Sequence, residues 1–323
     1  MNDTCGRKIN YLRISITDRC NLRCKYCIPK KGVHLKSHDE ILRIEEITAI
    51  VREAAQLGVS KVRLTGGEPL IRRGVTKLIR NIATIDGIQD LAMTTNGTLL
   101  SKYAEELSLS GLKRVNISIN SLSERKYQEI TRGGKLSDVL RGIEAAYKFK
   151  LTPVKLNVVL IKGFNDDEIE DFIKLTIDND IDVRFIELMP IGEASSWSQE
   201  HFISNNIILQ RFPVLLPLQS EDHGSAAVYY RMPGALGRIG LINPISNHFC
   251  NRCNRIRLTA DGRLKPCLHS DHEVEVRNII RNNRSSESII KLLQKAIVAK
   301  PAEHMLNIDG FEPIVRNMYQ IGG

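Results

Sequence analysis

Cys20-Asn21-Leu22-Arg23-Cys24-Lys25-Tyr26-Cys27 gathers three of the chain's seven cysteines into eight residues. Asn21, Arg23 and Lys25 stand between the thiols, so a buried, unmetallated core segment is a poor fit. Zinc and iron–sulfur sites close with four donors, and no histidine lies near enough in sequence to be an obvious fourth. The stretch therefore reads as a metal loop with one position left open for an exogenous ligand.

The chain on either side of this loop has a regular rhythm. Residues 11–17 read as a strand, with Leu12, Ile14 and Ile16 alternating against Arg13 and Ser15. Ile44, Ile47, Ile50, Val51, Ala54 and Leu57 then recur at helical spacing, and Gly58 supplies a stop. Further strands are expected at 61–64, 90–94, 114–119, 154–161 and 182–188, with helices at 75–83, 99–109, 137–149 and 166–177 between them. The period is roughly thirty residues, that of a βα unit. Alternation of this kind implies a parallel sheet, since each helix is the crossover that parallel neighbours need. Six units are too few for an eight-stranded barrel, so the expected α/β fold is a partial, open (β/α)6 barrel, with a doubly wound open sheet as the alternative. The cysteine loop, Thr65-Gly66-Gly67-Glu68-Pro69, residues 94–97, Ser118 and Met189 all fall at carboxyl ends of strands, which predicts one shared site.

After Met189 the rhythm breaks. Residues 190–225 lack clean periodicity and contain Trp197, Pro213 and Pro217, so a first domain over 1–189 and a smaller second one over 190–323 are expected. The second carries Cys250-Asn251-Arg252-Cys253 and then Cys267, a further triad suited to a cluster with one open iron. Zinc, with His248, His269 or His272 as fourth ligand, is the alternative there.

Composition narrows the partners. A chain of 323 residues with 42% hydrophobic content has enough apolar mass for a large core. No run of about twenty apolar residues appears, and residues 1–10 are polar, so neither a membrane span nor a secretory signal is expected and a cytoplasmic location follows. An odd number of cysteines in two triads plus Cys5 does not read as a disulfide framework. Forty-six basic against thirty-seven acidic residues give +9, which suits nucleic acid or a small polyanion. The basic residues are dispersed and aromatics are only 5%, so a nucleoside triphosphate is the more economical partner and no nucleic acid is expected.

C-x3-C-x2-C with an aromatic residue before the last cysteine resembles the radical S-adenosylmethionine (SAM) enzymes. With Thr65-Gly66-Gly67-Glu68-Pro69, Cys250/Cys253/Cys267, Asn254-Arg255-Ile256-Arg257 and the terminal Gly322-Gly323, residues 10–323 resemble the GTP 3′,8-cyclase family of molybdenum-cofactor biosynthesis. That resemblance implies two [4Fe-4S] clusters, one on Cys20, Cys24 and Cys27 and one on Cys250, Cys253 and Cys267. It implies SAM contacts at Tyr26, Gly67, Ser118 and Met189, and GTP contacts at Arg13, Arg63, Thr94, Lys155, Arg255 and Arg257. Arg255, Arg257, Gly322 and Gly323 would act in catalysis, the tail ordering Arg255 and Arg257 around GTP. A 5′-deoxyadenosyl radical would take hydrogen from C3′ of GTP, and C3′ would then bond to C8. The implied partners are a one-electron donor such as flavodoxin or ferredoxin and a downstream cyclic pyranopterin monophosphate synthase, and a homodimer is compatible. Gly67 has its own rationale, since a residue without Cβ lets a ligand approach the backbone. Asn120 departs from the acidic residue that many relatives carry there. Two rival readings are a peptide-modifying radical SAM maturase with an auxiliary cluster and a zinc-stabilised nucleic-acid-binding protein.

Overall fold

The structure, a computed structural model, describes residues 1–33, 36–219, 222, 224–282, 285–304, 306, 314 and 316–322. Six strands, β1 (Tyr11–Ser15), β2 (Lys61–Thr65), β3 (Asp90–Thr95), β4 (Arg114–Ser118), β5 (Val154–Leu160) and β6 (Ile181–Glu187), fall where alternation predicts them. The crossovers are α1 (Ile44–Gln56), α2 (Val75–Ala83), α3 (Leu100–Leu109), α4 (Glu124–Thr131), α5 (Leu136–Lys148) and α6 (Ile169–Asp178). Helix α4 was not expected: apart from Tyr127 and Ile130, both buried, its sequence is largely polar.

Each strand turns an apolar face to these helices. Leu12 and Ile14, Val62 and Leu64, Leu91 and Met93, Val115 and Ile117, Leu156 and Val158, and Val183 and Phe185 pack with Ile47, Ile50, Leu78, Ile79 and Phe172 in one continuous core. Parallel sheets buried on both faces usually read as unbroken apolar runs. Here the second parity is largely polar, because that face lines a cavity.

The later chain joins the same sheet at both edges. Strands β7 (Leu216–Leu218), β8 (Ala227–Arg231), β9 (Arg238–Ile242), β10 (Arg255–Leu258), β11 (Arg263–Lys265) and β12 (Val274–Glu275) complete the order β12-β11-β10-β1-β2-β3-β4-β5-β6-β9-β8-β7. β10 pairs with β1 and β9 with β6, both parallel, and each edge then turns back in antiparallel pairings. The two edge strands do not pair with each other, so the barrel is open.

Register stacks the inward side chains in layers. Arg257, Arg13, Arg63 and Ala92 are successive partners across β10, β1, β2 and β3, and Ala92 is in turn opposite Arg114 of β4. The methyl group of Ala92 leaves room beside its long neighbours. One layer towards the amino ends, Arg255, Tyr11, Lys61 and Asp90 form a second row. A small separate cluster of Ile191, Ile314 and Ile321, with Met189, Leu268 and Met318 against it, packs the end of the chain near the carboxyl ends of the strands.

Candidate active site

The first cysteine loop is held from below and from the side. Arg23 N and Lys25 N donate to the carbonyls of Thr131 and Ile130 at the end of α4, at 3.1 and 2.9 Å, while Cys27 N closes a turn on Cys24 O at 2.9 Å. Arg132 Nη1 donates to Ile28 O at 2.8 Å, and Asn96 Nδ2 reaches Cys20 Sγ at 3.8 Å. All seven cysteines are free thiols. Burial pushes Cys20 up to about 11, Cys24 to about 12 and Cys27 well above the usual range, so a bound cation is what would make them thiolates.

The Gly66-Gly67 turn packs tightly against the backbone that leads into the cysteine loop. A Cβ on Gly67 would stand 2.1 Å from the carbonyl oxygen of Arg19, and one on Gly66 would stand 2.5 Å from that of Thr17. Gly67 N donates to Thr17 O at 2.7 Å and Glu68 N to Arg19 O at 2.8 Å. The close approach that needs glycine is therefore made by the backbone leading into Cys20. Glu68 is fully buried and accepts from Leu70 N, Thr95 Oγ1 and Asn96 N at 3.0, 2.7 and 2.7 Å. Burial outweighs these bonds and pushes its carboxyl up to about 7.

Above the layered arginines lies a cavity of about 310 Å³. Its lining brings together Tyr26, Ser118 and Met189, the residues Arg13, Arg63, Thr94, Lys155, Arg255 and Arg257, and all three cysteines of the second triad. Gly67 and the first three cysteines are not among the lining residues; Tyr26 is their nearest representative in the wall. Nine lysines and arginines line the cavity among the described residues, against three carboxylates. Some are matched: Lys155 with Asp182 at 2.8 Å, Arg114 with Asp90 at 2.5 Å and Lys61 with Asp222 at 2.6 Å. Arg63, Arg184, Arg255 and Arg257 meet no carboxylate among the described residues. Burial, then repulsion from Arg257, holds Arg13 well below the usual arginine range. Arg63 and Arg257 are each lowered to about 10, again chiefly by burial and then by neighbouring guanidinium groups. Nε of Arg63, Arg184 and Arg255 and Oγ1 of Thr94 are buried without a hydrogen-bond partner among the described residues. Buried donors in such number are a mould for a polyanion rich in acceptors.

The second triad has its own electrostatics. Burial raises the Cys253 thiol, but the Lys300 ammonium and the Arg255 guanidinium more than offset this and leave it below the usual range. Lys300 Nζ also ties the triad's flanks together through Arg255 O and Pro266 O, both at 2.9 Å. No group of three or more His, Cys, Asp or Glu is arranged to hold a single metal ion among the described residues.

The tail reaches the arginines. Gly322 O accepts from Arg257 Nη1 at 2.9 Å and from Arg13 Nη2 at 3.3 Å. Arg255, the other arginine expected beside the tail, donates to Gly224 O at 2.7 Å and stacks between Tyr11 and Phe249. It lies two residues before Arg257 in β10, one inward layer further down. Gly323 lies outside the described residues. Arg184, on the same parity of β6 as Asp182, was missed from sequence, although that parity was the available signal. Asn120 uses both ends of its amide, donating to Tyr26 Oη at 2.8 Å and accepting from Val159 N at 2.9 Å.

Comparison with known proteins now decides the family. Residues 14–176 match the Radical SAM superfamily and residues 181–306 match Molybdenum Cofactor Synthesis C. GTP 3′,8-cyclases from Alkaliphilus oremlandii and Alkaliphilus metalliredigens are 59% and 57% identical, each over the whole of both chains. The chain belongs to the GTP 3′,8-cyclase family. A third relative of that name, from Peptoclostridium acidaminophilum, is 53% identical over 99% of this chain and 98% of its own. A crystal structure of Streptococcus suis SuiB bound to S-adenosylmethionine superposes with a TM-score of 0.58 at 14% identity, covering 88% of this chain and 68% of that one. At that identity the likeness speaks for the radical SAM fold alone. The family implies a [4Fe-4S] cluster and SAM, and the three free thiols of Cys20, Cys24 and Cys27 fit such a cluster. No helix is long and apolar enough to cross a membrane among the described residues.

Proposed function

We propose that this chain converts GTP to (8S)-3′,8-cyclo-7,8-dihydroguanosine 5′-triphosphate, removing hydrogen at C3′ and joining C3′ to C8. The observation that carries the reading is the shared cavity, in which uncompensated arginines face the second cysteine triad across a space large enough for a nucleotide. Bound at Cys20, Cys24 and Cys27, a [4Fe-4S] cluster with SAM supplies one electron to the sulfonium and thereby the agent of hydrogen abstraction. Tyr26, Gly67, Ser118 and Met189 would surround SAM. Arg13, Arg63, Thr94, Lys155, Arg255 and Arg257 would hold GTP, the guanidinium forks taking phosphate oxygens or purine edges. Cys250, Cys253 and Cys267 would bind a second [4Fe-4S] cluster that faces the guanine. Gly322 and Gly323 would order Arg13 and Arg257 at the ribose. The cavity wall excludes water while the carbon radical exists.

On this reading the parts before and after residue 189 act as a SAM half and a substrate half of one site. Flavodoxin or ferredoxin would supply electrons, cyclic pyranopterin monophosphate synthase would take the product, and the enzyme would work in the cytoplasm, with a homodimer as a compatible assembly. The inward direction of the cations favours a small polyanion over nucleic acid. Anaerobic incubation with SAM, a reductant and GTP deuterated at C3′ tests the proposal. Loss of one hydrogen atom and gain of one electron and one proton make the product isomeric with GTP, and the deuterium must appear in 5′-deoxyadenosine. About eight irons per chain are expected. Deuterium retained in GTP while SAM is consumed would overturn the assignment.

A further inference from the structure

Five alternating charges cross the floor beneath the tail. Lys36 Nζ lies 3.2 Å from Asp261 Oδ2, and Arg316 places Nη2 and Nη1 at 3.0 and 3.1 Å from the two oxygens of the same carboxylate. The other edge of the guanidinium meets Glu273, with Nε at 2.5 Å and Nη2 at 2.8 Å. Glu273 Oε1 also accepts from Lys265 Nζ at 3.1 Å. Arg316, Asp261 and Glu273 are only 13–17% exposed at their side chains, so solvent screens these contacts weakly. Lys36 follows the first cysteine loop, and Lys265 stands just before Cys267; Arg316 is therefore tied to the surroundings of both triads.

What hangs from Arg316 is short. A four-residue helix, Met318–Ile321, leads to Gly322, and a helix of that length does not hold its own shape in water. Ile321 docks on Ile191 and Ile314, and Asn317 sits so close to Gly192 that a Cβ there would lie 2.4 Å from Asn317 Oδ1. Gly322 itself has φ +69° and would meet Thr65 Oγ1 at 2.0 Å if it carried a Cβ. The tail is thus closely fitted against its surroundings, and Arg316 is the charged residue that precedes it.

We propose that Arg316 is a positioning residue that latches the tail: by gripping Asp261 and Glu273 together it sets where Gly322 O meets Arg13 and Arg257, and so shapes the substrate cavity. The consequence for turnover rests on the cyclase reading, but the latch itself does not. Removal of Arg316 leaves Asp261 with Lys36 and Glu273 with Lys265, so neither carboxylate is stranded and the rest of the fold should persist.

Carboxypeptidase digestion of the full-length, cofactor-free protein, followed by mass, reads the latch directly. The wild-type tail should resist, and Arg316→Ala should lose its terminal residues at least tenfold faster, with Arg316→Lys between them because an ammonium cannot fork to two carboxylates. Reconstituted Arg316→Ala should keep its iron, show a higher KM for GTP and yield at least tenfold less cyclised nucleotide per SAM consumed. Equal digestion rates for wild type and Arg316→Ala would overturn the latch. If Arg316→Ala does not fold, Asp261→Asn replaces it, and an unchanged digestion rate in that variant overturns the proposal equally. Wild-type protein that fails to cyclise GTP would sink the functional reading while the digestion still decides the latch.

Discussion

Replacing Arg63 by Met should make the unliganded protein more stable and the GTP complex weaker. Arg63 is 9% exposed and stands in the row between Arg13 and Ala92 with no carboxylate among the described residues. Its guanidinium drops to about 10 in the fold, well below its unfolded value, which corresponds to about 3 kcal/mol of lost stability near neutral pH. A base with a depressed folded pKa carries its full penalty below about 10, and the penalty fades as pH rises beyond that towards the unfolded value. Met fills much of the same volume without the charge. It forfeits the hydrogen bond to the Asn116 amide oxygen and the stacking on Tyr11, together about 1–2 kcal/mol. A net gain of about 1–2 kcal/mol remains, or about 2–4 °C in Tm at this chain length. GTP, by contrast, loses a charge-assisted contact worth about 1.5–3 kcal/mol, so Kd should rise about 10- to 100-fold. Anaerobic thermal melts with and without GTP measure both effects in one series. A variant that melts below wild type, yet is raised by GTP as much as wild type, would refute the claim that uncompensated charge is held in readiness for substrate.

Two further perturbations probe the first triad. Gly67→Ala drives a methyl group into the Arg19 carbonyl; it should cost about 1–3 kcal/mol and lower bound iron from about eight to about four per chain, counted after anaerobic reconstitution. Glu68 titrates at about 7 in the fold and at about 4.3 when unfolded, so folded protein binds the extra proton between those values and stability falls as pH rises through that window. The loss, at most about 4 kcal/mol, is complete above pH ~7; Glu68→Gln should flatten the unfolding free energy between pH ~5 and ~7 relative to wild type, as followed by urea titrations.

Much of the first half was legible because its signals are local. Period-two alternation in residues 11–17 and 154–161 separated the helix-facing Leu12, Ile14, Leu156 and Val158 from the inward Arg13 and Lys155, and the triads announced themselves by spacing. The edges were not legible. Strand β10 lies beside β1 through a register of Tyr11 with Arg255, and nothing within either segment encodes a neighbour so distant in sequence. The same reason hid the latch: Arg316 meets Asp261 and Glu273 from 55 and 43 residues away. A glycine's missing Cβ can be seen in sequence, but the packing of the Thr17 and Arg19 carbonyls against Gly66 and Gly67 cannot. The contact of Gly322 with Arg13 beside Arg257 depends on β1 and β10 being neighbours, and layers exist only once strands are paired.

The insertion of β10 beside β1 also governs the order in which the molecule can be made. A growing chain that has reached residue 250 carries β1 as an unprotected rim, with the first cysteine loop at its end, and β6 lacks its β9 partner until residues 238–242 have emerged. Pairings of such long sequence separation close slowly, and an unpaired rim is where nascent chains associate wrongly. A polypeptide cut at residue 189 keeps both rims exposed for good. The first triad thus gains its final walls only after the ribosome has delivered the second.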